Sequence, residues 1–529
     1  LHVRSRRQRQ MCIRDSNILV DCGMEQGNDV YENQELPIAA SDVDCILLTH
    51  AHIDHSGLIP LMYVNGFRGQ VYSTSATAQL CEIMLRDSAH IQMFEAEWRN
   101  RKAARSGGKL KEFVPLYDMD AAVNVCKQFV GCEYDRVYDI AEGIKIRFTD
   151  VGHLLGSASI EVWATEKTEN GDVTEKIVFS GDIGNINKPI IKDPKHVRDA
   201  DYVVMESTYG NRSHGGTPNY VEDLTDIFKR TFERGGNVVI PSFAVGRTQE
   251  LLYIIRKIKE DNLVGRDFDV YMDSPLAIEA TNIFIKNVES CFDDEAVELV
   301  RKGINPLSFP GLKYATTGDE SKQINFDPNP KVIISSSGMC EAGRIRHHLK
   351  HNLWRPECTI VFVGYQAVGT TGRIIVDGAE EIKLFGEPIQ IKAEIVQLKG
   401  SSGHADKDGL LCWINAFDRK PKKVFVVHGE DSVCDEFTEC LKEEYGYDAM
   451  APYTGGSYDL IADRVISEGV KERKTRRTTS TQRGKTVFDR LVAAGKRLMT
   501  VITHNEGGTN KDLAKFTDQI NALCDKWDR

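Results

Sequence analysis

Four side chains able to ligate a metal fall within the six residues His50-Ala51-His52-Ile53-Asp54-His55, directly after the apolar run CILLT. That density of polar, titratable groups at the end of a buried run costs stability unless something draws the side chains together, and a metal is the simplest agent. The H-x-H-x-D-H spacing suits two adjacent zinc ions, because imidazoles and a carboxylate from one short loop can point to neighbouring centres. Each centre needs three or more protein donors, so further ligands are expected elsewhere in the chain. The candidates are His153 in VGHLLGSAS, Asp182 in FSGDIG and His428 in VVHGE, each closing an apolar strand-like run.

Composition narrows what such a centre serves. With 529 residues the chain is too long for one ordinary core. A net charge of −11 excludes a wholesale polycation, so any nucleic-acid site must be local. No stretch approaches the roughly 18 apolar residues of a membrane span. The 13 cysteines include no C-x-x-C pair, which argues against a disulfide framework or a cysteine zinc ribbon and for reduced thiols in a cytoplasmic protein. The sequence has no G-x-x-x-x-G-K-[ST], no G-x-S-x-G and no H-E-x-x-H, so nucleotide-driven motors, serine hydrolases and zincin proteases lack support.

The order of apolar runs predicts α/β architecture in several pieces. Residues 1–16 carry five arginines without alternation and are expected to lie outside the fold, as a non-native or disordered leader or, alternatively, a basic arm. From Asn17 to 208 the runs ILVDCG, CILLTH, QVYST, IKIRFTDVG, KIVFSGDIG and DYVVMEST read as strands, several ending in His, Asp or Glu. Over 209–385 the pattern changes. Val221, Leu224, Ile227, Phe228 and Phe232 recur at helical spacing, and NVVIPSFA, GRTQELLYIIRKIK, DVYMDSP, KVIISSS, GRIRHHLKHNL and TIVFVGY alternate as strand and helix in a parallel, doubly wound unit. Short strands return over 386–465, so the middle unit reads as an insertion in the first domain. Residues 466–529 hold a basic linker, with seven Lys/Arg over 471–485, and a helix whose Leu513, Phe516, Ile520, Leu523 and Trp527 share one face. That face is expected to cover the chain's own core.

HAHIDH, Asp21 in LVDCG, His153, Asp182, Glu206 in ESTYG, His404 in SGHAD and His428 in VHGE together carry a family resemblance. The sequence resembles the β-CASP group of metallo-β-lactamase-fold ribonucleases, of the bacterial RNA-processing type, from about residue 17 to 460. PSFAVGRTQELL, MDSPLA and SSSGMCEAGR are similar to the group's inserted domain. The resemblance implies an α/β fold: a metallo-β-lactamase αββα sandwich with an inserted doubly wound α/β (β-CASP) domain. Such a fold ordinarily opens with a strand pair before the position of Asn17, where this sequence has RSRRQRQ, so an exposed sheet edge is expected there.

The resemblance further implies two Zn²⁺ per chain, one held by His50, His52 and His153, the other by Asp54, His55 and His428, with Asp182 bridging. Asp21 would support the ligand loop from behind, and Glu206 and His404 would stand near the leaving group, making Asp54, Asp182, Glu206 and His404 the catalytic set. A histidine at the position of His428 is the type of RNA-cutting members. The implied function is hydrolysis of phosphodiester bonds in single-stranded RNA by a zinc-activated hydroxide, in RNA processing or decay. The alternatives are a small-molecule metallo-hydrolase on the same fold and a non-catalytic RNA-binding subunit.

Elementary chemistry agrees. Two zinc ions activate a shared water and neutralise phosphoryl charge, and a ribose oxygen leaving needs a proton, which a histidine beside a carboxylate supplies. In the insertion, helices opening near Gly246-Arg247 and, after Ser336-Ser337-Gly338, near Gly343-Arg344 offer backbone N–H groups and arginines suited to phosphates. Arg247, Ser336, Ser337, Gly338 and Arg344 are therefore expected to bind substrate. A homodimer is the assembly expected, with no membrane partner.

Overall fold

A computed structural model describes residues 2–5, 8–13, 16–24, 38–105, 113–169, 171–215, 219–398, 402–470, 487–505 and 509–527. The apolar runs become strands of two large sheets. One has the order Arg464–Ser467, Gly456–Asp459, His2–Ser5, Gln8–Ile13, Ser16–Val20, Cys45–Leu47, Gln70–Thr74, Phe129–Cys132. The other runs Ala449–Met450, Lys423–Val427, Tyr202–Glu206, Gly171–Phe179, Ala158–Thr168, Ile144–Asp150, Val137–Ala141. Their facing sides close over Ile18, Val20, Leu47, Phe148, Ile160, Val162, Ile177 and Phe425. In Ile144–Asp150 the alternation is plain, with Ile144, Ile146 and Phe148 buried and Lys145 exposed. Helices cover the outer faces, Ser75–Arg105 and Met119–Cys126 on one side, Lys407–Ile414 and Asp431–Glu443 on the other. This is the αββα sandwich.

Strand direction places the chemistry. Ser16–Val20, Cys45–Leu47 and Gln70–Thr74 are parallel in the first sheet, as are Gly171–Phe179, Tyr202–Glu206 and Lys423–Val427 in the second. Parallel strands end on one side, so the loops that carry Asp21, His50, Asp182 and His428 open at a common edge of the sandwich.

After Tyr220 the chain builds a third sheet, all parallel, in the order Leu312–Tyr314, Asp269–Asp273, Lys331–Ser335, Val238–Pro241, Thr359–Phe362, Glu394–Gln397. Helix Tyr220–Glu233 buries Leu224, Ile227, Phe228 and Phe232, leaves Val221 half-buried, and is capped by the Asn219 side chain accepting from the Glu222 N–H. One apolar core runs unbroken from the sandwich into this unit, from Leu19, Ile46 and Leu80 to Leu252, Phe284 and Val332. The insertion is therefore seated on the sandwich, with helix Ser75–Arg105 against Pro275–Lys286.

Three expectations are corrected. The segment 1–16, expected outside the fold, supplies the strands His2–Ser5 and Gln8–Ile13, the second antiparallel to Ser16–Val20 with Met11 opposite Ile18 and buried. A ladder is made by backbone groups and asks for an apolar side chain only where a strand faces the core, so arginine-rich text can still be a strand. The edge expected to be open at Asn17 is thereby paired. Next, Glu394–Gln397 pairs parallel with Thr359–Phe362 and belongs to the third sheet, not to the returning segment. The run IQIKAEIVQL is broken where the Lys392 and Ala393 N–H groups both turn to the Leu353 carbonyl, at 2.8 and 2.9 Å. Finally, helix Asn510–Trp527 forms as its periodicity predicts but buries none of its residues, and Leu523 and Trp527 are exposed. An apolar stripe sets a helix but does not name the surface that covers it. The basic linker expected over 471–485 lies outside the described residues. Among those described, no helix is long and apolar enough to cross a membrane.

On the outer face of the second sheet, Glu161 is fully buried and bound by Arg147 at 2.7 Å through each of two nitrogens and by Lys176 at 2.8 Å. Burial works against its charge, but these partners hold its carboxyl below the usual range. Its contribution to stability is present above the pKa of an unfolded glutamate and lost as pH falls through the lower, folded value. Glu161→Gln leaves two cations under-paired and is expected to cost about 3–5 kcal/mol, read from the urea midpoint, with the deficit shrinking at acid pH. An unchanged midpoint would show that the trio adds nothing.

Candidate metal centre

The ligand loop is held from behind before any metal is considered. Asp21 ends the first parallel strand with φ 57° and is buried. Its Oδ1 accepts the Thr49 N–H at 2.9 Å, and its Oδ2 accepts the Thr49 hydroxyl at 3.0 Å and faces His55 Nδ1 at 2.8 Å. Gly23 permits the close approach: a Cβ there would lie 1.5 Å from the Asp54 carbonyl oxygen. Thr49, unremarked in the sequence reading, is the hub, since its hydroxyl also lies 3.1 Å from His50 Nδ1. Its position between a buried run and a histidine was the only signal.

These partners fix where the ring lone pairs point. His55 Nδ1 faces a carboxylate and His153 Nδ1 faces the Gly403 carbonyl at 3.2 Å, so each donates there and turns Nε2 to the centre, as a lone pair in the neutral His153. The Thr49 hydroxyl donates to Asp21, so His50 Nδ1 donates to Thr49 and its Nε2 is the acceptor. His50 Nε2 and His153 Nε2 lie 3.1 and 3.2 Å from His52 Nδ1, and 3.5 and 3.8 Å from Asp182 Oδ2. On the other side His55 Nε2 and His428 Nε2 lie 3.2 and 3.3 Å from Asp182 Oδ1. Lone pairs facing a carboxylate are an arrangement that a cation satisfies. His55 Nε2 and Asp182 Oδ1 are buried and make no hydrogen bond among the described residues.

The donor atoms thus gather in two groups that could each hold a metal ion: His50, His52, His153 and Asp182, and Asp54, His55 and His428. The same residues fall together that the family resemblance implies, with one Asp182 oxygen turned to each group. Burial keeps His50, His52 and His153 below the ordinary histidine value and so neutral, as ligands must be. Burial opposes the charge on Asp182, yet His428, His55 and His50 hold it well below the carboxylate range. Burial disfavours a charged His55, yet Asp182 and Asp21 hold it well above the histidine range, so a metal ion taken up at its Nε2 would displace a proton.

A third group joins Asp182, Glu206 and His404. Glu206 is buried, its Oε1 accepting the Ile183 N–H at 2.5 Å and its Oε2 lying 3.2 Å from His404 Nδ1. His404 reaches the centre because its segment is stitched to the Asp182 loop, the Asn185 N–H donating to the Gly403 carbonyl at 3.2 Å and the Ala405 N–H to the Ile183 carbonyl at 2.8 Å. Burial disfavours a charged His404, but Glu206 and Asp182 raise it to about 9.

The residues expected to bind substrate lie at two places in the inserted domain. Ser336, Ser337 and Gly338 form the turn after strand Lys331–Ser335, with the Ser336 hydroxyl 2.7 Å from Ser274 Oγ and the Gly338 carbonyl accepting from Gln366 at 3.1 Å. Arg344 is corrected. Its guanidinium donates to Asp273 at 2.7 Å and to the Ala315 and Thr316 carbonyls at 2.9 and 2.8 Å, so it braces the turn instead of facing a phosphate. The fully buried Asp273 carboxylate at the strand end demands that cation, together with His348 at 2.6 Å. Arg247 pairs with Glu250 at 2.6 Å and lines a cavity of about 540 Å³ between the domains, beside Asn185, Lys188, His214 and Ser402.

Comparison with known proteins accords with this order of parts. Residues 11–185 match the metallo-beta-lactamase superfamily domain, 248–375 the Beta-Casp domain, and 388–452 the Zn-dependent metallo-hydrolase RNA specificity domain. "Ribonuclease TTHA0252" of Thermus thermophilus is 34% identical over 415 residues, covering 78% of this chain and 88% of that protein. The chain belongs to the β-CASP group of the metallo-β-lactamase superfamily. It is also similar to proteins named "Transcription termination factor FttA". That of Methanosarcina mazei is 32% identical over 453 residues, 83% of this chain and 67% of the relative, and that of Thermococcus kodakarensis is 29% identical over 457 residues with the same coverage. As a β-CASP protein the chain is a metallo-hydrolase, and its His/Asp groups fit the zinc dependence of that family.

Proposed function

We propose that this β-CASP chain is a cytoplasmic zinc-dependent ribonuclease that hydrolyses phosphodiester bonds of single-stranded RNA in RNA processing or decay. The observation that carries the reading is the His404–Glu206 pair, 3.2 Å apart, against a double donor cluster that shares Asp182. His50, His52 and His153 would hold one zinc ion, Asp54, His55 and His428 the other, and Asp182 both. When bound, the ions supply a water of lowered pKa and neutralise charge that grows on the phosphoryl oxygens.

The remaining work falls to the chain's own residues. Glu206 accepts a hydrogen bond from His404 Nδ1–H and keeps the ring oriented, so that Nε2–H can give its proton to the departing ribose oxygen and leave a neutral imidazole. Thr49 and Asp21 hold the ligand rings in their tautomers. The Ser336–Gly338 turn is proposed to seat the substrate backbone, and Arg247 to add positive charge on the cavity wall.

A thioester hydrolase on this fold has no use for such a proton donor, and a non-catalytic subunit has none for a full donor set. A relative named as a ribonuclease and the matched RNA specificity segment support RNA as the substrate class. The test is zinc-loaded protein on end-labelled single-stranded RNA and DNA of matched sequence. Cleavage of RNA with DNA left largely intact is expected, and equal cleavage of both would overturn the substrate assignment. The homodimer expected from the sequence is proposed with it, and sedimentation of the same preparation checks it, a monomer overturning that part.

A further inference from the structure

Lys188 stands six positions after Asp182, in the loop that leaves the second sheet, and is about one-tenth exposed. Its Nζ donates to the His153 carbonyl at 2.9 Å and lies 3.2 Å from Glu250 Oε1. Glu250 belongs to the other domain, one turn into helix Arg247–Glu260, and is itself buried. The contact does not stand alone. Gly246, which opens that helix with φ 86°, lies so close to the loop carrying His153 that a Cβ on it would sit 3.1 Å from Leu154 Cδ1. His153 and Leu154 are thus pressed between the sandwich and the first turn of an inserted-domain helix.

A buried ion pair is a poor choice for stability alone, since apolar residues of similar volume often do as well, and its best-attested use is to fix one geometry against its neighbours. An ammonium has three donors on one point, so it can tie a carbonyl and a carboxylate that belong to different domains. We infer that Lys188 and Glu250 form a positioning pair that ties the seat of the inserted domain to the metal-binding His153, so that this histidine holds its ligating position only while the two domains are in register. The pair touches neither substrate nor reacting atoms. It acts through the backbone of His153, as groups behind metal ligands do. The inference rests on the reading of His153 as a zinc ligand.

The test uses the full chain loaded with zinc and a chromophoric chelator as competitor, alongside RNA cleavage. Lys188→Met is expected to lower zinc affinity by roughly 10–100-fold, the usual effect of removing a group that supports a ligand. Glu250→Gln, nearly isosteric and a second route if the first variant folds poorly, is expected to fall in the same range. Because they act as one unit, the double variant should be no weaker than the worse single. Lys188→Arg, which keeps the charge and has N–H donors for both partners, should restore affinity, and kcat should fall in the Met variant with KM little changed. Unchanged zinc affinity in both singles, a double variant whose losses multiply, or no rescue by arginine would each overturn the pairing. His153→Ala separates the two readings: zinc retained there removes the ligand assignment itself, whereas zinc lost there but kept in Lys188→Met removes only the pair.

Discussion

Asp182→Asn is expected to strip the protein of zinc and reduce RNA cleavage by on the order of 10³ or more. The side chain keeps its size and loses one oxygen and a charge, at the point where both donor groups meet. Its Oδ1 lies 3.2 and 3.3 Å from His55 and His428, and its Oδ2 3.5 and 3.8 Å from His50 and His153. Asparagine would place an N–H₂ group against one pair of rings and keep a neutral acceptor on the other side, so both donor sets lose the anion and one loses its acceptor as well. Zinc per chain, measured by elemental mass spectrometry on the folded variant, is the primary readout. A variant with wild-type zinc and wild-type cleavage would remove Asp182 from the centre.

His404→Ala is expected to behave in the opposite way, with zinc content intact and cleavage slowed by roughly 10²–10⁴, the usual worth of a general acid. The reason is its place. It meets the donor groups at their rim, 3.8 Å from Asp182, and its strong partner is Glu206. A substrate with a better leaving group should recover much of the loss, because that group departs without a proton. His428→Ala is the contrast, since its Nε2 faces Asp182 Oδ1, and it should lose zinc and cleavage together. Zinc lost from His404→Ala would make His404 a ligand, and no recovery with the better leaving group would leave the proton donor unassigned.

The donor set was legible because its signal is local. HAHIDH follows a buried run, and His153, Asp182 and His428 each close one, so residue type and strand position coincide at every donor. Helix Tyr220–Glu233 was legible for a similar reason, its apolar residues falling on one face at 3.6-residue spacing. Sequence therefore determined the strands and helices with clear periodicity, the parallel α/β insertion and the identity of the histidines and carboxylates that gather, while the αββα arrangement was legible only through the family resemblance.

What only the tertiary structure decided are pairings between distant backbone segments, which carry no side-chain signature. Gln8–Ile13 is a strand because Ser16–Val20 offers it a ladder, and Glu394–Gln397 joins the parallel sheet because Thr359–Phe362 was left with an open side. Arg344 looked like a phosphate ligand until the buried Asp273 carboxylate, brought to it by strand order, claimed its guanidinium. The hydroxyl of Thr49, the Gly403 carbonyl and the Lys188 ammonium work on the centre from behind, through hydrogen bonds whose partners are set by the fold. Periodicity and composition record what each segment must bury. Which atoms meet across the buried space depends on how the sheets and the inserted domain close on one another, and that closure is a property of the whole chain.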